Sequence, residues 1–201
     1  MKNFCYALLL LLCISCTDTN PCEGDIIFQT TQNDQSILIE KATKSPMTHC
    51  GIIIARDNGL HVLHVDKVVR LTPLATFIKH GVKSQYVIKR ATNKEIKIDL
   101  EKYILKEYDF QLLFDNNSYY SSELVYDIYK NDLGIELCQP RPIKEYNITG
   151  FETMLGERQI KPDQYVVAPA DLYNSKKLKQ VQTHEDRIKA IKKRNKTKKH
   201  Q

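Results

Sequence analysis

The stretch YYSSELVYDIY, from Tyr119 to Tyr129, reads as the start of a helix, with two serines at its mouth and an apolar stripe behind them. A serine in that place can cap the helix, and Ser121 can also attack a carbonyl if a base stands beside it. One such base is His49, where a strand begins in SPMTHCGIII. Alternation puts His49, Gly51 and Ile53 on one face and Cys50, Ile52 and Ile54 on the other, so Cys50 reads as a core thiol. Folding CGIIIARDNGLHVLHV into a hairpin places His64 on the face of His49 and His61 on the opposite face. Two loops are compatible with that outcome, a two-residue Asn58-Gly59 loop and a four-residue loop over 56–59. The four-residue loop sets His64 opposite Gly51 and diagonal to His49, at roughly 7–8 Å between Cα atoms. The two-residue loop holds the histidines too far apart to interact. Gly51 leaves room between the rings, which suits a base and the group that orients it. The plain alternative is a pair of half-buried strand histidines.

Other chemistries find no support in the residues. There is no HExxH, no paired CxxC and no phosphate-binding loop, so neither a metal nor a cofactor is expected. Cys5, Cys13 and Cys16 lie in the first sixteen residues, which leaves Cys22, Cys50 and Cys138, an odd set without close spacing. That excludes a disulfide scaffold and allows one bridge, Cys22 to Cys138, in an oxidising compartment.

The elements that would hold these residues follow from composition and period. The chain has 201 residues, 42% of them hydrophobic, enough for one domain with a core plus extensions. DIIFQ (25–29), CGIIIA (50–55), LHVLHV (60–65), QYVIKR (85–90) and QYVVAP (164–169) read as strands. CGIIIA is apolar on both faces and is expected to be buried. Helices are expected over 35–43, over TPLATFIKHG with a Thr72 cap and Pro73 in first position, over 99–108, and from Ser121 to about Asp132. Strands and helices mix without regular βαβ alternation, which indicates an α+β fold.

The ends of the chain differ from its body. Lys2 is followed by an apolar run from Phe4 to Ile14, too short to span a bilayer and suited to a secretion signal. It ends in CISC, where Ser15 and Cys16 resemble a bacterial lipobox, although Cys13 stands where leucine is more usual. Lipidation at Cys16 is the expectation, and signal cleavage nearby is the alternative. Either route leads to the cell envelope, as a membrane-anchored lipoprotein or a periplasmic or extracellular protein. The formal charge of +6 is uneven: residues 176–201 carry eleven Lys and Arg against Glu185 and Asp186, leaving the rest at −3. This segment reads as a solvated, partly helical, frayed tail, with contact to anionic lipid headgroups or wall polymer as the functional alternative. No nucleic-acid partner is expected, because aromatic residues do not interleave with the basic ones beyond Tyr173. The expected organisation is a signal over 1–16, a linker over 17–23, one domain over 24–175 and a basic tail over 176–201.

GDIIFQ, SPMTHCGII, YDFQLLFDNNSYYSSELVYDIYKNDLGIEL and YVVAPADLY, in this order and spacing, resemble the YiiX/YaeF branch of the permuted papain-like amidases, relatives of the NlpC-type cell-wall hydrolases. The resemblance spans about residues 23–175. It implies a permuted papain-like α+β fold, in which an antiparallel sheet carries His49 and a helix N-terminus carries position 121. In that family a cysteine opens the helix in YCSELV and is the nucleophile. Here the slot holds Ser121, and Ser122, Glu123, Leu124 and Val125 continue the match. His49 matches the base. His64 falls where the branch often has a glutamate as orienting residue, a role that histidine fills in some NlpC-type relatives. Asp25 matches the family's GD and is expected to hold a loop beside the site; Tyr120 and Gln29 are candidate cleft residues.

The implied chemistry is acyl transfer to water from an amide, ester or thioester, with cell-wall peptide or a lipid-linked acyl group as substrate. Serine in a cysteine slot has three readings. It is an engineered replacement of the nucleophile, a natural variant with weak or altered hydrolysis, or the mark of a non-catalytic lipoprotein that keeps the cleft to bind a ligand. A hydroxyl is far more basic than a thiol and needs full general-base help during attack.

Overall fold

The computed structural model describes residues 19–92 and 96–198. Six antiparallel strands form the main sheet: β1 (Ile26–Gln29), β2 (His49–Arg56), β3 (Gly59–Val65), β4 (Val69–Pro73), β5 (Val87–Arg90) and β8 (Lys179–Thr183). Their spatial order is β4-β3-β2-β1-β5-β8. A separate pairing joins β6 (Arg141–Pro142) to β7 (Tyr165–Val166). The helices are α1 (Asp34–Thr43), α2 (Leu74–His80), α3 (Ser121–Asp127), α4 (Glu152–Glu157), α5 (Pro169–Tyr173) and α6 (His184–Lys198).

The sheet is covered on both faces, which explains its unbroken apolar strands. On one face Ile26, Phe28, Cys50, Ile52 and Leu63 pack against Leu124 and Val125 of α3. On the other, Ile27, Ile53, Val62 and Ile88 pack against Phe77 and Ile78 of α2. Burying each such side chain stabilises the fold by about 1.5–3 kcal/mol. A smaller cluster of Ile143, Phe151, Leu155, Ile160 and Val166 lies apart from both and includes Tyr120, the residue before α3.

Several expectations change. Residues 99–108 have helical spacing but form only a short turn at Leu100–Lys102, and Leu105 takes a φ of 66°. The segment pairs with the edge of β4 instead: Leu105 N–H donates to the Val69 carbonyl at 3.0 Å, and Val69 N–H to that of Lys106 at 2.7 Å. Covering a bare sheet edge outweighs helix propensity here. Thr72 does not cap α2; it lies in β4, and Pro73 takes the cap position. QYVVAP contributes only Tyr165–Val166 to a strand, because Pro169 already opens α5. The segment read as a tail supplies β8, which pairs with β5, and then a continuous helix. Cys50 and Cys138 are free thiols, so the Cys22–Cys138 bridge is not formed. The signal segment and the expected lipidation at Cys16 lie outside the described residues. Among those described, no helix is long and apolar enough to cross a membrane.

Candidate active site

The β2–β3 hairpin sets the site. Its register runs from Ile52↔Leu63 to Arg56↔Gly59, which leaves Asp57 and Asn58 as the loop. This is the register of the four-residue alternative, extended by one pair, and it brings His64 beside Gly51. A side chain at 51 would not fit: an added Cβ would lie 2.5 Å from Val62 Cγ1, 2.7 Å from the Leu63 carbonyl oxygen and 2.9 Å from His64 Cβ. The two imidazoles meet in that space, with His49 Nε2 and His64 Nδ1 at 3.1 Å. Phe77 of α2 backs both rings, with centroids 5.5 Å from His49 and 4.9 Å from His64.

Ser121 approaches from the other layer. It is not the helix cap. Tyr120 holds that position with extended backbone, and its N–H donates to Glu123 Oε2 at 3.3 Å. Ser122 is occupied too, donating to the Val167 carbonyl at 2.7 Å. The Ser121 hydroxyl is left to face the sheet, where Oγ stands 3.1 Å from His49 Nδ1 and 3.1 Å from the Val65 carbonyl. At the far end, His64 Nε2 stands 2.9 Å from Thr72 Oγ1. Ser121, His49, His64 and Thr72 therefore form one line of hydrogen bonds.

Burial decides the charge of this line. It pushes His49 down to about 3, helped by neighbouring His64. It also pushes His64 down to about 4, helped by the Arg70 cation. Both rings are neutral at neutral pH, so each has one donor and one acceptor nitrogen. Only two proton arrangements satisfy the line. In one, His49 Nδ1 donates to Ser121, whose own proton goes to Val65. In the other, Ser121 donates to His49 Nδ1, His49 Nε2–H donates to His64, and His64 Nε2–H donates to Thr72. The second is the arrangement a general base needs. Thr72 escaped the sequence reading, although alternation in VRLTP and the pairing Thr72↔Val62 put it on the face of His64.

A cleft of about 790 Å³ opens beside the line. Ser121, His49, His64, Gln29 and Tyr120 line one end; Leu38, Leu112, Ile143, Phe151 and Leu155 line an apolar wall. Gln29 is paired with His49 across the strands and is 1% exposed. Its Oε1 is buried without a hydrogen-bond partner, and an added Cβ on Gly81 would lie 2.7 Å from it. The Tyr120 hydroxyl accepts from Val167 N–H at 3.1 Å, so Tyr120 also ties α3 to the segment after β7. Asp25 does not reach the cleft. It is fully buried in an ion pair, with Arg90 Nε 2.7 Å from Oδ1 and Nη2 2.9 Å from Oδ2. Its role is to hold the chain's entrance into the sheet, with Cys22 N–H donating to it at 2.9 Å.

Comparison with known proteins identifies the family and the fold. The family described as permuted papain-like amidase enzymes, YaeF/YiiX, C92, matches residues 20–182. The protein YiiX of Escherichia coli strain K12 is 30% identical over 190 residues, which is 89% of this chain and 94% of that protein. A crystal structure titled as the metalloprotein YiiX of Escherichia coli O157:H7 superposes with a TM-score of 0.73 at 30% identity, covering 82% of this chain and 98% of that one. The mixed fold, the antiparallel sheet and the matched residues agree, and the chain belongs to the permuted papain-like amidase family.

Proposed function

We propose that the chain is an exported acyl hydrolase in which Ser121 is the nucleophile and His49 its general base. The observation that carries this reading is the unbroken line from Ser121 Oγ through His49 and His64 to Thr72, with contacts of 3.1, 3.1 and 2.9 Å. A cysteine–histidine pair works as thiolate and imidazolium, and burial here disfavours the imidazolium. A hydroxyl needs the opposite, a neutral imidazole that takes its proton during attack. His49 supplies that form, and the base stays available as pH falls toward about 3.

In the reaction, Ser121 Oγ bonds to the acyl carbon while its proton passes to His49 Nδ1. His49 then returns the proton to the departing nitrogen, oxygen or sulfur. Water, deprotonated by His49, attacks the acyl-serine and releases the acid. His64, in the tautomer that accepts from His49 Nε2–H, steadies the transient imidazolium. The apolar wall favours an acyl group with a hydrocarbon chain, so a lipid-linked amide or ester suits the cleft better than a wall peptide. The solved YiiX structure is titled a metalloprotein. In this chain, among the described residues, no group of three His, Cys, Asp or Glu could hold a metal ion, and His49 and His64 spend facing nitrogens on each other. No step is assigned to a metal.

The second reading, a binding protein that keeps the cleft, has one observation of its own: the Ser121 hydroxyl within reach of the Val65 carbonyl, which draws its proton away from His49. Assays with acyl p-nitrophenyl esters and long-chain acyl amides separate the two. Hydrolysis that falls by about a thousandfold or more in Ser121→Ala and in His49→Ala supports the hydrolase. Ligand binding measured by calorimetry, with no turnover above those variants, supports the binding protein.

A further inference from the structure

α6 holds the densest run of positive charge in the chain: seven Lys and Arg in fifteen residues, against Glu185 and Asp186. Ile188 and Ile191, one turn apart, are 36% and 45% exposed, and the basic residues flank them on both sides. The helix is firmly started. Thr183 N–H donates to Asp186 Oδ2 at 2.9 Å, Asp186 N–H to Thr183 Oγ1 at 3.2 Å, and the Tyr86 ring meets His184 edge-on at 6.1 Å. It lies beyond residue 182, where the family match ends.

Two further facts locate this helix. Gln182 Nε2 donates to the Thr19 carbonyl at 3.3 Å, and Arg90, paired with Lys179 of β8, donates to the Asn20 carbonyl at 2.8 Å. Thr19 thus lies beside Gln182, close to the base of α6, and Asn20 lies toward Lys179 at the other end of β8. Across the sheet, Thr183 pairs with Val87, Val87 with Phe28 and Phe28 with Cys50. That row is next to His49, so α6 departs from the end of the sheet that carries the site.

We propose that α6 is a docking helix for an anionic lipid bilayer, with its isoleucines at the headgroup boundary and its lysines and arginines against lipid phosphates. A dense run of cations beside two exposed isoleucines suits the negative surface of an anionic bilayer, with charge as the main attraction. Because α6 departs from the end of the sheet that carries His49, docking through it brings that end near the lipid. This docking goes beyond the hydrolase reading and does not depend on it.

The test uses the full chain and co-sedimentation with vesicles of phosphatidylcholine alone or with phosphatidylglycerol. Two variants are compared with the parent: Lys189→Gln with Lys192→Gln and Lys196→Gln, and Ile188→Ala with Ile191→Ala. Glutamine and alanine keep helix propensity, and circular dichroism confirms the fold. The N-terminal segment contributes equally to all three proteins, so the difference isolates α6. Partitioning onto phosphatidylglycerol vesicles is expected to fall by roughly one to two orders of magnitude in the glutamine variant, to fall with added salt, and to weaken in the alanine variant. Equal partitioning of parent and glutamine variant overturns the proposal. So does a charge effect seen on anionic wall polymer and absent from the vesicles.

Discussion

Two buried polar side chains bracket β1, and the structure treats them in opposite ways. Asp25, just before the strand, has its carboxylate oxygens filled by Arg90 and the Cys22 amide. Gln29, at the other end, is as deeply buried, yet its Oε1 has no partner. A buried carboxylate without a partner is too costly to keep, whereas an unmade amide hydrogen bond costs about 1–3 kcal/mol. The filled side chain is structural. The unfilled one lines the cleft next to His49, with its Oε1 turned toward Gly81. Satisfaction therefore separates scaffold from site along one short strand.

Changes at both ends test that contrast. Asp25→Ala has the largest expected effect, because Arg90 loses its carboxylate inside the fold; a stability loss of about 3–5 kcal/mol is expected in urea unfolding. A loss below about 1 kcal/mol would break the contrast. Glu123 comes next. It is buried with one amide contact, and desolvation raises it to about 9. A raised carboxyl contributes stability that is present below its unfolded value of 4.5 and is lost as pH rises through 9. Between those limits Glu123→Gln is expected to gain on the parent as pH rises, by about 1–3 kcal/mol near neutral pH, read from unfolding curves at several pH values.

Thr72→Val is smaller. It removes the group that holds the His64 tautomer, and kcat is expected to drop about tenfold, with Thr72→Ser restoring it and KM unchanged. Recovery in serine but not valine separates positioning from packing. The smallest stability effect belongs to Gln29→Leu, which removes a polar group that nothing satisfies. Stability is expected to stay within about 1 kcal/mol of the parent or to rise, while KM increases. If Gln29→Leu destabilises as much as Asp25→Ala, Gln29 is scaffold as well.

What the sequence revealed and what it hid have separate causes. Strand period and a local hairpin were enough to put His49, His64 and Gly51 on one face, but two loops stayed open, and only the observed register brings the histidines together. Ser121 was visible through SSELV, and the contact with His49 over 72 residues followed from the resemblance. Thr72 was hidden because TPLATF also reads as a helix start, and only pairing with β3 shows that its side chain belongs to the strand. Residues 99–108 were misread because Val69, the partner of Leu105 and Lys106, lies 36 and 37 residues away in the chain and leaves no periodic trace. β8 was missed for lack of apolar content. As an edge strand it packs only Val181 against the core, so its sequence looks like tail.

The oxygen in the nucleophile slot has a further consequence, in redox chemistry. Burial pushes the Cys50 thiol far up and Cys138 to about 12, so neither free thiol ionises near neutral pH. Peroxide attacks thiolates and drives them through sulfenic toward sulfinic and sulfonic acids. At this cleft it meets an alcohol instead. A papain-type centre loses function when its sulfur is oxidised, whereas position 121 of this chain offers no sulfur to oxidise.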